Sequence, residues 1–230
     1  DHRDLHSFPT RRSSDLSPDG TEWGDYYSDT NYSDSSMGKK YNIISELIDE
    51  IQPKFLWDIG GNTGEFSRIA SDKGVQTILF DIDYAAIEKS YRKSILDKDK
   101  YLTSFVMDFT NPSSGIGWSN KERLSIIDRG PADTVLALAL IHHLCISNNL
   151  PFSHIARFFG EITSKCLVIE FVPKVDSQVQ RLLKTRKDIF SDYTQDIFEL
   201  EFSQVFSIVK SIKVDGTERT VYLMQRRDEK

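Results

Sequence analysis

The sequence predicts an α/β protein: an open, doubly wound, three-layer sheet of seven strands, mostly parallel and ending in an antiparallel hairpin. Three observations carry that prediction. From Phe55 onward, short apolar runs alternate with amphipathic stretches, at a spacing that makes parallel strands with crossover helices. ADTVLALAL, residues 132–140, is apolar almost throughout, the pattern of a strand covered on both faces. Near the carboxyl end, QVFSIVKSIKV and RTVYLMQ flank Asp215-Gly216, a pair that closes a tight hairpin.

Between Met37 and Ile51 the apolar positions Tyr41, Ile44, Leu47, Ile48 and Ile51 fall three and four residues apart, which makes an amphipathic helix ended by Pro53. FLWDI (Phe55–Ile59) is a short buried strand, and the helix Gly64–Lys73 after it is stopped by Gly74. A strand over Val75–Ile82, a helix over Tyr84–Leu96 and a strand over Tyr101–Asp108 follow. A long loop holding NPSSGIGW then leads to a short helix around Lys121–Ile127. Beyond the strand Ala132–Leu140 come a helix over Phe152–Thr163 and a strand over Cys166–Val172. Asp176 to Leu200 carries helical patterning before the closing hairpin.

At 230 residues the chain suits one domain with a sizeable core, expected over residues 53–230, with residues 17–52 forming an arm and helix before it. Asp1 to Leu16 stands apart, with three arginines and no hydrophobic period. It resembles translated sequencing-adapter DNA and is expected to be non-native, so His2 and His6 receive no functional weight. The alternative is a natural basic tail. The net charge of −6 argues against a nucleic-acid partner, whose backbone demands clustered Lys and Arg. No apolar run reaches the roughly 20 residues of a membrane span. Cys145 and Cys166 both sit in apolar runs, with no Cys/His spacing for a metal; two core thiols fit a reducing cytoplasm.

The chemistry concentrates in Trp57 to Phe66, WDIGGNTGEF, at the turn after the first strand, where ligands of such sheets bind. Gly60, Gly61 and Gly64 allow a tight turn and close approach, and the following helix start offers amides. The string fits D-x-G-x-x-x-G, not the G-x-G-x-x-G of dinucleotide sites. Asp58 at close range repels a pyrophosphate but welcomes an ammonium or sulfonium. S-adenosylmethionine carries both, with a carboxylate for the amides. Asp81, ending the second strand, can accept both ribose hydroxyls, with Asp83 as the competing candidate. Asp108 with Phe109, after the third strand, can hold the adenine amino group beside an apolar wall. The plainer reading makes the three acids strand-end caps.

The set DIGGNTG, FDID, MDF and ALALIHHL resembles the class I S-adenosylmethionine-dependent methyltransferases, from the helix at Met37 to the terminal hairpin. DTNYS, DFTNPSSGIGW, ALALIHHL and IEFVPKVDSQVQRLL further resemble a bacterial nodulation-related branch. The resemblance implies a Rossmann-like sheet and S-adenosylmethionine as cofactor. It places Asp58, Gly60 and Gly64 at the methionine end, Asp81 at the ribose, and Asp108 with Phe109 at the adenine. Asn62 departs from the family, where glycine is common.

After the fourth strand, His142 and His143 face the expected methyl position and are the candidate bases, with packing or capping as the alternative. Glu170, Tyr32, Lys40 and Trp118 are lesser candidates: Glu170 for a salt bridge with Lys174 or Arg181, with a substrate cation or hydroxyl as the alternative, Tyr32 and Lys40 to close over the cofactor, Trp118 to line a pocket or pin its loop. The aromatics of IFSDYTQDIF read mainly as packing, with a substrate lid as the alternative. The leading function is methyl transfer to an oxygen or nitrogen of a small molecule or glycan. A nicotinamide-dependent oxidoreductase and a non-catalytic cofactor-binding subunit are the alternatives.

Overall fold

The computed structural model describes residues 34–184 and 186–227. The segment 1–16, the arm before residue 34 and Tyr32 lie outside the described residues. Seven strands form one sheet: β1 (Phe55–Ile59), β2 (Gln76–Asp81), β3 (Leu102–Val106), β4 (Ala132–Ala137), β5 (Thr163–Phe171), β6 (Phe206–Lys213) and β7 (Thr220–Arg226). Their order is β3-β2-β1-β4-β5-β7-β6. The first five pair in parallel, whereas β7 runs antiparallel to both β5 and β6. This is the expected mixed sheet, and its strand order reverses between β1 and β4, where a crevice must open.

Strand alternation sorts the core into two halves. Leu56, Leu136, Val168 and Val221 face α1 (Asp34–Ile51) and α2 (Glu65–Ser71), meeting Ile44, Leu47, Ile48, Phe66 and Ile69. Trp57, Val135, Leu167 and Tyr222 point the other way, towards α5 (Phe152–Ile162) and α7 (Gln195–Phe202), and bury Phe152, Phe159, Phe198 and Phe202. A smaller cluster of Leu79, Ile87 and Leu102 holds α3 (Tyr84–Asp97) beside the outer strands.

Four expectations shift, each for a local reason. The helix expected around 121–127 is instead a 3-10 turn at Trp118–Asn120, a bridge between Ile116 and Arg123, and then α4 (Ile126–Arg129). A capping box between Ser125 and Asp128 sets its start. The helical stretch 176–200 divides into α6 (Ser177–Leu183) and α7, because Asp176 and Thr194 each cap a separate amino terminus. β4 stops at Ala137, and Ala139 turns with φ +50°. On α1 the buried stripe runs through Ser36, Lys40, Ile44, Leu47 and Ile48, while Tyr41 is exposed. A lysine therefore occupies a core position.

Candidate active site

A cavity of about 350 Å³ opens beyond the carboxyl ends of β1 to β4. Its wall includes Asp58, Gly60, Gly61, Asn62, Asp81, Asp108, Phe109 and His143. The fold thus gathers residues from four separate turns. Gly64 and Asp83 support the wall from behind. Gly64 turns the chain at φ +84° to start α2, and Asp83 caps α3 by accepting from the amides of Ala85 and Ala86.

Asp58 is 1% exposed and accepts from Ser67 Oγ at 2.6 Å. Burial, against the bond from Ser67, pushes its carboxyl up to about 6. A buried carboxylate in that condition gains from an incoming cation. Gly61 is required by proximity: a Cβ there would stand 2.5 Å from Asp58 Oδ2 and collide with Leu79. Gly60 is required by conformation, at φ +74°.

The turn uses its own amides. Gly60 and Gly61 donate to Phe80 O, Asn62 to Asp81 Oδ2, Thr63 to Asn62 Oδ1, and Gly64 to Gly61 O. The amides expected to receive a ligand carboxylate are therefore engaged within the fold. Asn62 adopts φ +53°, a left-handed conformation that asparagine tolerates, so the departure from glycine is accommodated.

Asp81 accepts from the amide of Asn62 on Oδ2 and of Asp83 on Oδ1, at 2.8 Å each. Desolvation raises its pKa, and those amide bonds oppose the rise. Ile82 beside it is 60% exposed and lines the same cavity. Asp108 holds its own turn through Oδ1, which accepts from the amide and hydroxyl of Thr110. Phe109 packs edge-on against Phe80 at 5.3 Å between centroids.

The two histidines separate. His143 lines the cavity at the head of a π-helical turn, His143–Ser147, a distortion that recurs at functional sites. His142 is 2% exposed, its Nδ1 has no partner among the described residues, and its ring lies 4.2 Å from that of His143. Burial lowers both, His142 well below the ordinary value and His143 to about 4, so both imidazoles are neutral near pH 7.

Glu170 corrects one expectation. Its partner is neither Lys174 nor Arg181 but Lys40, at 2.7 Å, with both side chains buried. Lys174 pairs with Asp188 instead. Lys40 lines the cavity, its Nζ 4.8 Å from the centroid of the Phe66 ring. The sequence held a signal for it: Lys40 lies one helical turn before Ile44 on the apolar stripe. Trp118 is 85% exposed and takes no part in the wall. Tyr193 and Phe198 of the aromatic run pack in the core, the Tyr193 hydroxyl donating to Val172 O. Among the described residues no group of His, Cys, Asp and Glu is arranged to hold a metal, and no helix is long and apolar enough to cross a membrane.

No family model matches the chain. It is 34% identical over 205 residues to the nodulation protein NoeA of Rhizobium meliloti (strain 1021), covering 89% of this chain and 43% of that protein. The chain therefore spans less than half the length of this relative. Among solved structures, the magnesium protoporphyrin IX methyltransferase ChlM from Synechocystis PCC 6803, with bound SAH, superposes with a TM-score of 0.60 at 14% identity, over 89% of this chain and 93% of that one. The N-methyltransferase NodS from Bradyrhizobium japonicum WM9 superposes with a TM-score of 0.61 at 10% identity, over 85% and 98%. Seven strands in this order and an antiparallel end are shared with these neighbours, so the chain has the same fold as these two methyltransferases.

Proposed function

We propose that the chain is an S-adenosylmethionine-dependent methyltransferase acting on an oxygen or nitrogen of a small-molecule or glycan acceptor. One observation carries the reading: acids from the ends of three adjacent strands, Asp58, Asp81 and Asp108, share one cavity with a histidine after the fourth. The cavity falls within the size range of small-ligand sites, and its buried Asp58 suits a cationic ligand. A pyrophosphate would face Asp58 without a compensating amide in the turn, which disfavours a nicotinamide dinucleotide.

When bound, the cofactor would supply a sulfonium methyl group for transfer to the acceptor atom, with S-adenosylhomocysteine as the leaving group. Asp58 attracts the positive methionine end, Asp81 accepts from the ribose hydroxyls, and Asp108 with Phe109 borders the adenine. Gly60 and Gly61 keep the wall thin enough for close contact. His143 faces the acceptor side; neutral near pH 7, its ring can accept a proton or hydrogen bond from an attacking hydroxyl or amine. Displacement chiefly needs alignment, so a single neutral imidazole suffices beside the shape of the cavity. Both thiols are free, in keeping with a reducing cytoplasm.

Calorimetry with S-adenosylmethionine, S-adenosylhomocysteine and NAD tests this. The sulfur ligands are expected to bind and NAD is not; NAD binding alone would overturn the proposal. Methylated product formed from a small-molecule extract then identifies the acceptor.

A further inference from the structure

The glycine turn is held from two sides. On the cavity side, Asp81 Oδ2 accepts from the amide of Asn62 at 2.8 Å. Thr63 follows, between two left-handed residues, Asn62 at φ +53° and Gly64 at φ +84°. Its amide donates to Asn62 Oδ1 at 2.9 Å, and its carbonyl accepts from Nη1 of Arg68 in α2 at 2.6 Å. A backbone in that region persists only where its surroundings fix it.

Arg68 is buried, at 8% exposed, and a buried guanidinium is costly unless its donors are used. Its donors go to main-chain carbonyls of two different elements: Nη1 to Thr63 O in the turn and Nη2, at 3.1 Å, to Ser90 O in α3. Nε is buried with no partner among the described residues, so the charge is kept there at a cost. An apolar side chain could pack α2 against α3 without that cost, which points to the two carbonyls as the reason for an arginine. Gly64 is fitted to the same head group: a Cβ there would stand 3.0 Å from Arg68 Nη1 and 3.0 Å from Ser90 Oγ. At its own start α3 is capped by Asp83, whose amide donates to Asp81 Oδ1. One side chain thus ties the turn that carries Asn62 to the helix that follows Asp81.

We propose that Arg68 is a positioning residue of the donor site: by joining Thr63 O to Ser90 O it locks the glycine turn against α3 and sets the spacing of Asn62 and Asp81 along the cavity wall. Arg68 itself lies outside that wall and acts through the turn. Its effect on binding rests on the reading of the cavity as an S-adenosylmethionine site; its effect on the turn does not.

Two measurements on the full chain separate these effects: amide hydrogen exchange by NMR without ligand, and calorimetry with S-adenosylhomocysteine below the melting range of each variant. Arg68→Met keeps the apolar stem and removes both bonds, whereas Arg68→Lys keeps the charge and one bond at most. In Arg68→Met the amides of Asn62 and Thr63 are expected to exchange at least about tenfold faster, while those of Trp57 and Val135 in the sheet keep their rates. Affinity for S-adenosylhomocysteine falls about 10- to 30-fold, with Arg68→Lys between Arg68→Met and wild type. Should Arg68→Met fail to fold, Arg68→Lys decides, with a smaller change in the same direction. Unchanged exchange at Asn62 and Thr63, a uniform rise that includes the sheet, or unchanged affinity overturns the role of Arg68. Faster exchange confined to the turn, in a protein whose wild type binds no S-adenosylhomocysteine, upholds the clamp and overturns the cofactor reading.

Discussion

The amide of Asn62 donates to Oδ2 of Asp81 at 2.8 Å, tying the glycine turn after β1 to the acid that ends β2. The same carboxylate accepts from Asp83 on its other oxygen. Asp81 therefore shapes the cavity before any ligand arrives: it orders the turn on one side and the start of α3 on the other.

Asp81→Ala is accordingly expected to weaken S-adenosylhomocysteine binding by more than about 30-fold, through loss of the ribose contact and of the order in the turn. The fold survives, since the cores on both faces are untouched. Calorimetry paired with circular dichroism checks this, and an unchanged affinity would show that the ribose contact lies elsewhere.

Asp58 gives a pH signature whose sign is opposite to the usual carboxylate. Its folded pKa is raised to about 6 from an ordinary 3.8, so the folded state holds the proton more tightly than the unfolded one. Stability from this group is present below the ordinary value and is lost as pH rises through about 6, by about 3 kcal/mol in all. Asp58→Asn is expected to unfold at a temperature no lower than wild type at pH 7.5, and the difference between the two should shrink from pH 7 to pH 4. The variant loses cofactor affinity regardless. Melting curves across that range decide it.

Gly61→Ala places a methyl against Leu79 and 2.5 Å from Asp58 Oδ2. Overpacking of this kind costs about 1–3 kcal/mol and displaces the carboxylate. Denaturant titration should show the loss, with cofactor affinity falling alongside.

The two histidines should behave differently on substitution. His143→Ala, at the cavity wall, is expected to slow product formation about 100-fold while leaving S-adenosylhomocysteine affinity within about twofold. His142→Ala removes a ring that is 2% exposed and should appear chiefly as a stability loss of about 2–4 kcal/mol. Turnover, read as labelled product from an extract, together with melting temperature, separates the roles. The reverse pattern would move the catalytic assignment to His142.

Much of the fold was legible because it rests on local rules. FLWDI was bounded correctly at Phe55–Ile59 because glycine follows it and Pro53 precedes it. The hairpin followed from Asp215-Gly216, and Gly216 does turn at φ +80°. The breaks at Ser125, Asp176 and Thr194 were harder to read, since a cap works only once the chain has chosen where to start a helix.

Sequence alone determined which residues could meet: Asp58, Asp81 and Asp108 lie at or just beyond the carboxyl ends of successive parallel strands, and a parallel sheet brings such ends to one edge. What those residues do with their hydrogen-bonding capacity was decided only by tertiary structure. Turn amides that look available in DIGGNTG are used up by Phe80, Asp81 and the turn itself. Lys40 and Glu170 stand 130 positions apart, and no spacing rule joins them. Burial makes each charge require a partner, and the packing of α1 on the sheet is what supplies it.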